Sequence, residues 1–142
     1  ALGNPNIPTR VIHRMAAGTG KRVRETIAGN ISTPKTILMK SARDRDTNVA
    51  YNVACNPNVP REALTILAER RNIGILVAVV RNKNTPEEAL AKLARNNNRN
   101  LRLLIAEHEN TSRETLEFLL LKAVKEADQK LAETVRLALA KQ

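Results

Sequence analysis

The sequence predicts an all-α solenoid, a stack of about five two-helix units of 26 residues each, with no β-sheet. Three observations carry that reading. A phrase of the form Asn-x-Asn-x-Pro returns at an unbroken interval, with Pro8, Pro34, Pro60 and Pro86 in register and Ser112 in the fifth turn. Behind each phrase, apolar residues fall three and four apart, the spacing of one buried helical stripe. A polar turn then leads into a second apolar segment of about two helical turns.

The units are residues 4–29, 30–55, 56–81, 82–107 and 108–133. Residues 108–142 form a C-terminal cap, and the whole chain, 1–142, makes a single domain. Each unit opens on Asn4, Asn30, Asn56, Asn82 or His108, followed two residues later by Asn6, Ser32, Asn58, Asn84 or Asn110. Such side chains accept from free N–H groups at a helix start, and proline at the first helical position loses no bond. These residues are therefore expected to cap the first helix. Thr85 with Glu88, and Thr111 with Glu114, have the spacing of a capping box. Asn30 and Asn110 also open glycosylation triplets, but their register assigns them to the turns.

The first helix buries the column Ile12, Leu38, Leu64, Leu90 and Leu116, then Met15, Leu67, Leu93 and Leu119 with Ser41 among them. A third column, Ala16, Ala42, Ala68 and Ala94, ends in Leu120. Asp46, Asn72 and Asn98 follow the inter-helix turns as caps for a second, shorter helix, α or 3₁₀. That helix buries Val23, Val49, Ile75 and Leu101, then Ile27, Val53, Val79 and Ile105, then Ala28, Ala54, Val80 and Ala106. Residues 75–80 are β-branched enough to suggest a strand, yet the repeat register makes them helical. Beyond residue 122 the pattern reads as nearly continuous helix, with Val124 in a loop position and Leu120 in the Ala column. A terminal unit whose outer face meets water departs from the repeat in this way.

Hydrophobic residues make up 42 % of the chain with one Phe and one Tyr, a composition suited to thin layers of Leu, Ile, Val and Ala. No run approaches the ~20 apolar residues of a membrane span, and no signal-peptide pattern opens the chain. Cys55 stands alone, which gives no disulfide framework and no cysteine metal site. A cytoplasmic location is expected. Ala1-Leu2-Gly3 aligns with Ile27-Ala28-Gly29, which predicts that the chain begins inside a longer array.

The stretches NPNVPREALTILA (residues 56–68) and NKNTPEEALAKLA (82–94) resemble the leucine-rich repeat variant family. The resemblance covers nearly the whole chain, strongest over 56–107 and weakest after 112. It implies a right-handed superhelix of alternating α and short or 3₁₀ helices without sheet. One branch of that family carries an iron–sulfur domain, which a chain with one Cys does not match. The family motif consists of cap and core positions, so it names no catalytic residue and no cofactor. The units are more distantly similar to HEAT-like repeats, some of which bind DNA and excise damaged bases.

The net charge is +10, unevenly spread. Residues 1–106 hold 18 Lys and Arg against 7 Asp and Glu, whereas residues 107–142 hold 6 against 7. Ten cations gather at the inter-helix turns and just after them: Lys21, Arg22, Arg24, Arg43, Arg45, Arg70, Arg71, Arg95, Arg99 and Arg102. Equivalent positions of a solenoid align along one edge, so these would form a basic rim matched to a phosphate backbone or an acidic protein surface. Solvation and the helix dipole account for many such charges, Arg43, Arg70 and Arg95 especially.

Other chemistry finds little support. His13 and His108 occupy unrelated repeat positions and share no metal site. Asp44 and Asp46 flank Arg45 in a turn, where capping and ion pairing explain them. Glu87 and Glu88 suit a first helical turn. Gly18-Thr19-Gly20-Lys21 lacks the Walker spacing and a preceding strand. The expected function is non-enzymatic: a scaffold for protein–protein interaction, with no cofactor, no metal and no membrane. The alternative is sequence-independent nucleic-acid binding through the basic rim. Only Tyr51 and Phe118 could stack on bases, so such contacts would be to the backbone.

Overall fold

A computed structural model describes residues 8–16 and 20–142, without the side chains of His13, Met15 and Ala16. The expected roles of Ala1, Leu2, Gly3, Asn4, Asn6, Gly18 and Thr19 lie outside the described residues. Among the described residues there are ten α-helices and no strand. The first helices are α1 (Thr9–Ala16), α3 (Lys35–Ser41), α5 (Arg61–Leu67), α7 (Glu87–Leu93) and α9 (Arg113–Lys125). The second helices are α2 (Lys21–Gly29), α4 (Thr47–Cys55), α6 (Ile73–Arg81), α8 (Arg99–Glu107) and α10 (Gln129–Ala140). Helix starts recur every 26 residues as far as α8 and α9. The second helices pack against one another more closely than the first helices do.

Two expectations about the helices are corrected. The second helix is not the shorter of the pair, and of the two conformations left open it takes α: α4, α6 and α8 each have nine residues, whereas α3, α5 and α7 have seven. A side-chain cap starts each longer helix. Asp46 accepts from the N–H groups of Asn48 and Val49, Asn72 from Ile75, and Asn98 from Leu101. The cap and the buried face hold even β-branched α6 in the helix. The C-terminal region is not one continuous helix either. Ala127 has φ 56°, and Asp128 N–H reaches Ala123 O at 2.8 Å, the Schellman closure of α9. Asp128 then caps α10 at Leu131 N–H.

The Asn-x-Asn phrase does not cap the first helices. Pro34, Pro60 and Pro86 occupy the N-cap positions in extended conformation without any side-chain cap, and only Ser112 of the fifth turn bonds a helix N–H, that of Thr115. The asparagines turn outward to the preceding unit instead. Asn56 Nδ2 donates to Ala28 O and Asn30 O, both at 2.9 Å, while its Oδ1 accepts Asn58 N–H. Asn82 repeats this one unit on, at 3.0 Å to Ala54 O and 3.2 Å to Asn56 O. His108 keeps the pattern with a ring: Nε2 lies 2.9 Å from Asn82 O and Nδ1 accepts Asn110 N–H. A neutral imidazole carrying its proton on Nε2 satisfies both contacts. Asn58, Asn84 and Asn110 form a parallel, more exposed row, donating to Ile31, Pro57, and Lys83 with Thr85.

The capping boxes are absent for the same reason. Thr33, Thr85 and Thr111 turn their hydroxyls inward to Ile27 O, Val79 O and Ile105 O, and all three side chains are buried. Buried carbonyls near a helix end need donors, and these threonines supply them.

The predicted core columns are buried from unit to unit, among them Leu38, Leu64, Leu90 and Leu116, and Val53, Val79 and Ile105. A further buried column, Ile37, Ala63, Ala89 and Thr115, lies beside them. One large apolar cluster, from Ala28 to Val135, links the units, and a smaller one holds Ile12, Ile27 and Ile37 with Val23 against them.

Candidate interaction surface

Of the ten predicted rim cations, six have partners in the fold, although Lys21, Arg95 and Arg99 among them are exposed. Arg24 Nε donates to Asp44 Oδ2 at 2.8 Å. Burial alone would raise the Asp44 carboxyl, but the Arg24 hydrogen bond and the Asp46 N–H hold it below its ordinary value. Arg70 reaches across the turn to Ala42 O and Asp44 O, supplying donors to the C-terminal end of α3. Arg99 grips Asp128 through two bonds, 2.6 and 3.0 Å, which together with Leu131 N–H lower that carboxyl. Arg102 is 5 % exposed and bonds Glu126 Oε2 and Asn97 O. Lys21 sits 3.3 Å from Asp46, and Arg95 lies over the Phe118 ring at 5.4 Å.

Four remain without a side-chain partner among the described residues: Arg22, Arg43, Arg45 and Arg71, all exposed. Arg45 and Arg71 occupy equivalent positions, each just before the N-cap of a second helix. The sequence brought ten cations to one edge. The structure assigns six of them to inter-unit and cap contacts and leaves four facing solvent.

A feature that charge reasoning passed over lies on the outer side of the second helices. Tyr51 and Ile73 are 45 % and 44 % exposed. Val77 and Leu103, half-buried, occupy on α6 and α8 the position that Tyr51 occupies on α4. Ile73 stands one helical turn before Val77, on the same face. Thr47, Asn48, Gly74 and Asn100 complete the exposed stripe. The signal was present in the repeat alignment, since units three and four carry apolar residues at second-helix positions that the buried columns do not use. The Tyr51 phenol is pushed up, first by its hydrogen bond with Cys55 one turn on, while Arg81 acts against that shift.

Several clefts mark the surface. The largest, about 850 Å³, crosses the Pro turns at the opposite edge between Lys35, Asn58, Arg61, Lys83, Asn84 and Glu87. A second, about 370 Å³, sets Arg24, Lys40, Arg43 and Arg45 over Ile27 and Ile37. A third, about 610 Å³, lies between the α8–α9 turn and α10, with His108, Leu116, Leu137 and Lys141 in its wall. None brings a nucleophile, a base and an orienting group together. Among the described residues no three His, Cys, Asp or Glu side chains cluster as metal ligands. No described helix is long and apolar enough to cross a membrane.

No protein-family profile, curated protein or solved structure matches this chain.

Proposed function

We propose that the chain is a non-enzymatic scaffold for protein–protein interaction in the cytoplasm, a right-handed α-solenoid of five 26-residue units of the leucine-rich repeat variant type. The recurrence of helix starts and the inter-unit asparagine ladder support the repeat reading. Closer packing of the second helices supports an inner position for them in a curved stack, the surface that solenoids use for extended partners. The observation that carries the function is the apolar stripe on that side, exposed Tyr51 and Ile73 with half-buried Val77 and Leu103. Aromatic and aliphatic side chains open to solvent at the edge of a core are typical anchors of a protein interface.

Nucleic-acid binding is the second reading, favoured by the four solvent-facing arginines. Counterion release separates the two. A labelled DNA duplex and an RNA hairpin are titrated at ~50 and ~200 mM salt, where phosphate contacts lose affinity steeply. In parallel, a photo-crosslinking residue at position 51 is irradiated in cell extract with and without nuclease. Protein adducts that survive nuclease, with no duplex or hairpin binding at low salt, support the scaffold. Salt-sensitive nucleic-acid binding without such adducts refutes it.

A further inference from the structure

The centre of the exposed stripe has an electrostatic character of its own. Neither α4 nor α6 contains an Asp or Glu, while at the margins Glu25 of α2 is held by Lys21 and Asn48 and exposed Glu107 ends α8. The carboxylates nearest in sequence are already engaged: Asp44 by Arg24, Asp46 by Lys21 and its cap, and Glu69 by Lys92. Arg45 and Arg71 stand unpartnered and exposed at the N-terminal ends of these two helices. Arg81, also exposed and outside the predicted rim, stands at the C-terminal end of α6. It stands one helical turn beyond Val77, on the same face of α6. On α6 the apolar anchors therefore lie between Arg71 and Arg81, and on α4 they follow Arg45.

Resting on the scaffold reading, we infer that the face formed by α4, α6 and α8 docks an acidic peptide segment carrying apolar side chains. Tyr51, Val77 and Leu103 are equivalent positions on neighbouring helices, roughly 10 Å apart. A segment laid across them presents apolar residues at about that interval, every third residue if extended or every seventh if helical. Its carboxylates meet Arg45 and Arg71 on one side and Arg81 on the other, roughly 13 Å away across nine helical residues. Guanidinium groups without internal carboxylate partners lose no existing pair when such a segment binds, and they select acidic over basic sequences. Phosphate chains would engage the arginines but leave the apolar stripe uncovered.

The test is selection of peptides from a random display library on the intact chain. The strongest peptide is then labelled with fluorescein and followed by anisotropy. Enrichment of Asp and Glu together with Leu, Ile, Phe or Trp is expected. The Tyr51→Ser/Ile73→Ser variant should lose about tenfold or more in affinity. Arg71→Glu and Arg81→Glu should each lose about tenfold at low salt and less at high salt. These side chains are exposed, and unchanged thermal melts of the variants establish intact folding. Selected peptides that are basic, or that bind the Ser double variant as well as the parent, overturn this inference and leave the scaffold standing. Failure to select any peptide, with or without duplex binding, counts against both.

Discussion

Asn56→Ala removes one side chain and three hydrogen bonds to backbone groups at once. The residue is 1 % exposed, and its amide donates to Ala28 O and Asn30 O while its carbonyl accepts Asn58 N–H. At about 1 kcal/mol for each hydrogen bond lost, the variant should be about 3 kcal/mol less stable. With an m-value of about 2 kcal/mol/M, the urea midpoint followed by far-UV circular dichroism falls by about 1.5 M. Asn58→Ala serves as the control, because its bond to Ile31 O is exposed and its loss should cost below about 1 kcal/mol. Asn56→Asp should be worse than alanine, since it turns a negative oxygen toward two carbonyl oxygens. The ladder couples neighbouring units, so an effect shared between all of them is expected. A loss below about 1 kcal/mol for Asn56→Ala, or one equal to that of Asn58→Ala, would refute the ladder as a principal inter-unit link.

Further outcomes follow from individual contacts. Ala127→Gly should raise stability by about 1 kcal/mol, because an L-residue at φ 56° is strained where glycine is not; a lower melting temperature would contradict the Schellman assignment. Arg70→Met keeps the aliphatic stem but removes the donors to Ala42 O and Asp44 O, and should cost about 1 kcal/mol in urea unfolding. Asp44 and Asp128 have carboxyls held below their unfolded values. Their stabilisation is complete above about pH 4 and is lost as pH falls through the lower folded values. Asp128→Asn should therefore flatten part of the acid limb of the stability–pH curve, measured by urea titration between about pH 2 and 6.

The columns of Leu, Val, Ile and Ala were legible because period and spacing alone decide which side of a helix is buried. Asp46, Asn72 and Asn98 were legible as caps because a cap is a local contact, closed within three residues. The asparagines of the Pro turns were misread for the opposite reason. Asn56 and Asn82 bond carbonyls 26 and 28 residues away, and local capping rules hold no information about that partner. The length of the second helix was misjudged likewise, since its β-branched residues resist the helix in isolation and are held there by the core. Arg70, Arg99 and Arg102 looked like members of one rim because a sequence shows a charge but not what the charge faces.

By itself the sequence determined the all-helical class, the 26-residue recurrence, the buried columns and the excess of cations, all of which follow from residue type and interval. The tertiary structure alone decided which cations are spent on carbonyls and carboxylates of adjacent turns, and which apolar residues remain outside the core. Stacking brings positions 26 residues apart into contact, so the partner of a side chain in this fold belongs to the neighbouring unit. The surface left over after those contacts form is the one available to another molecule.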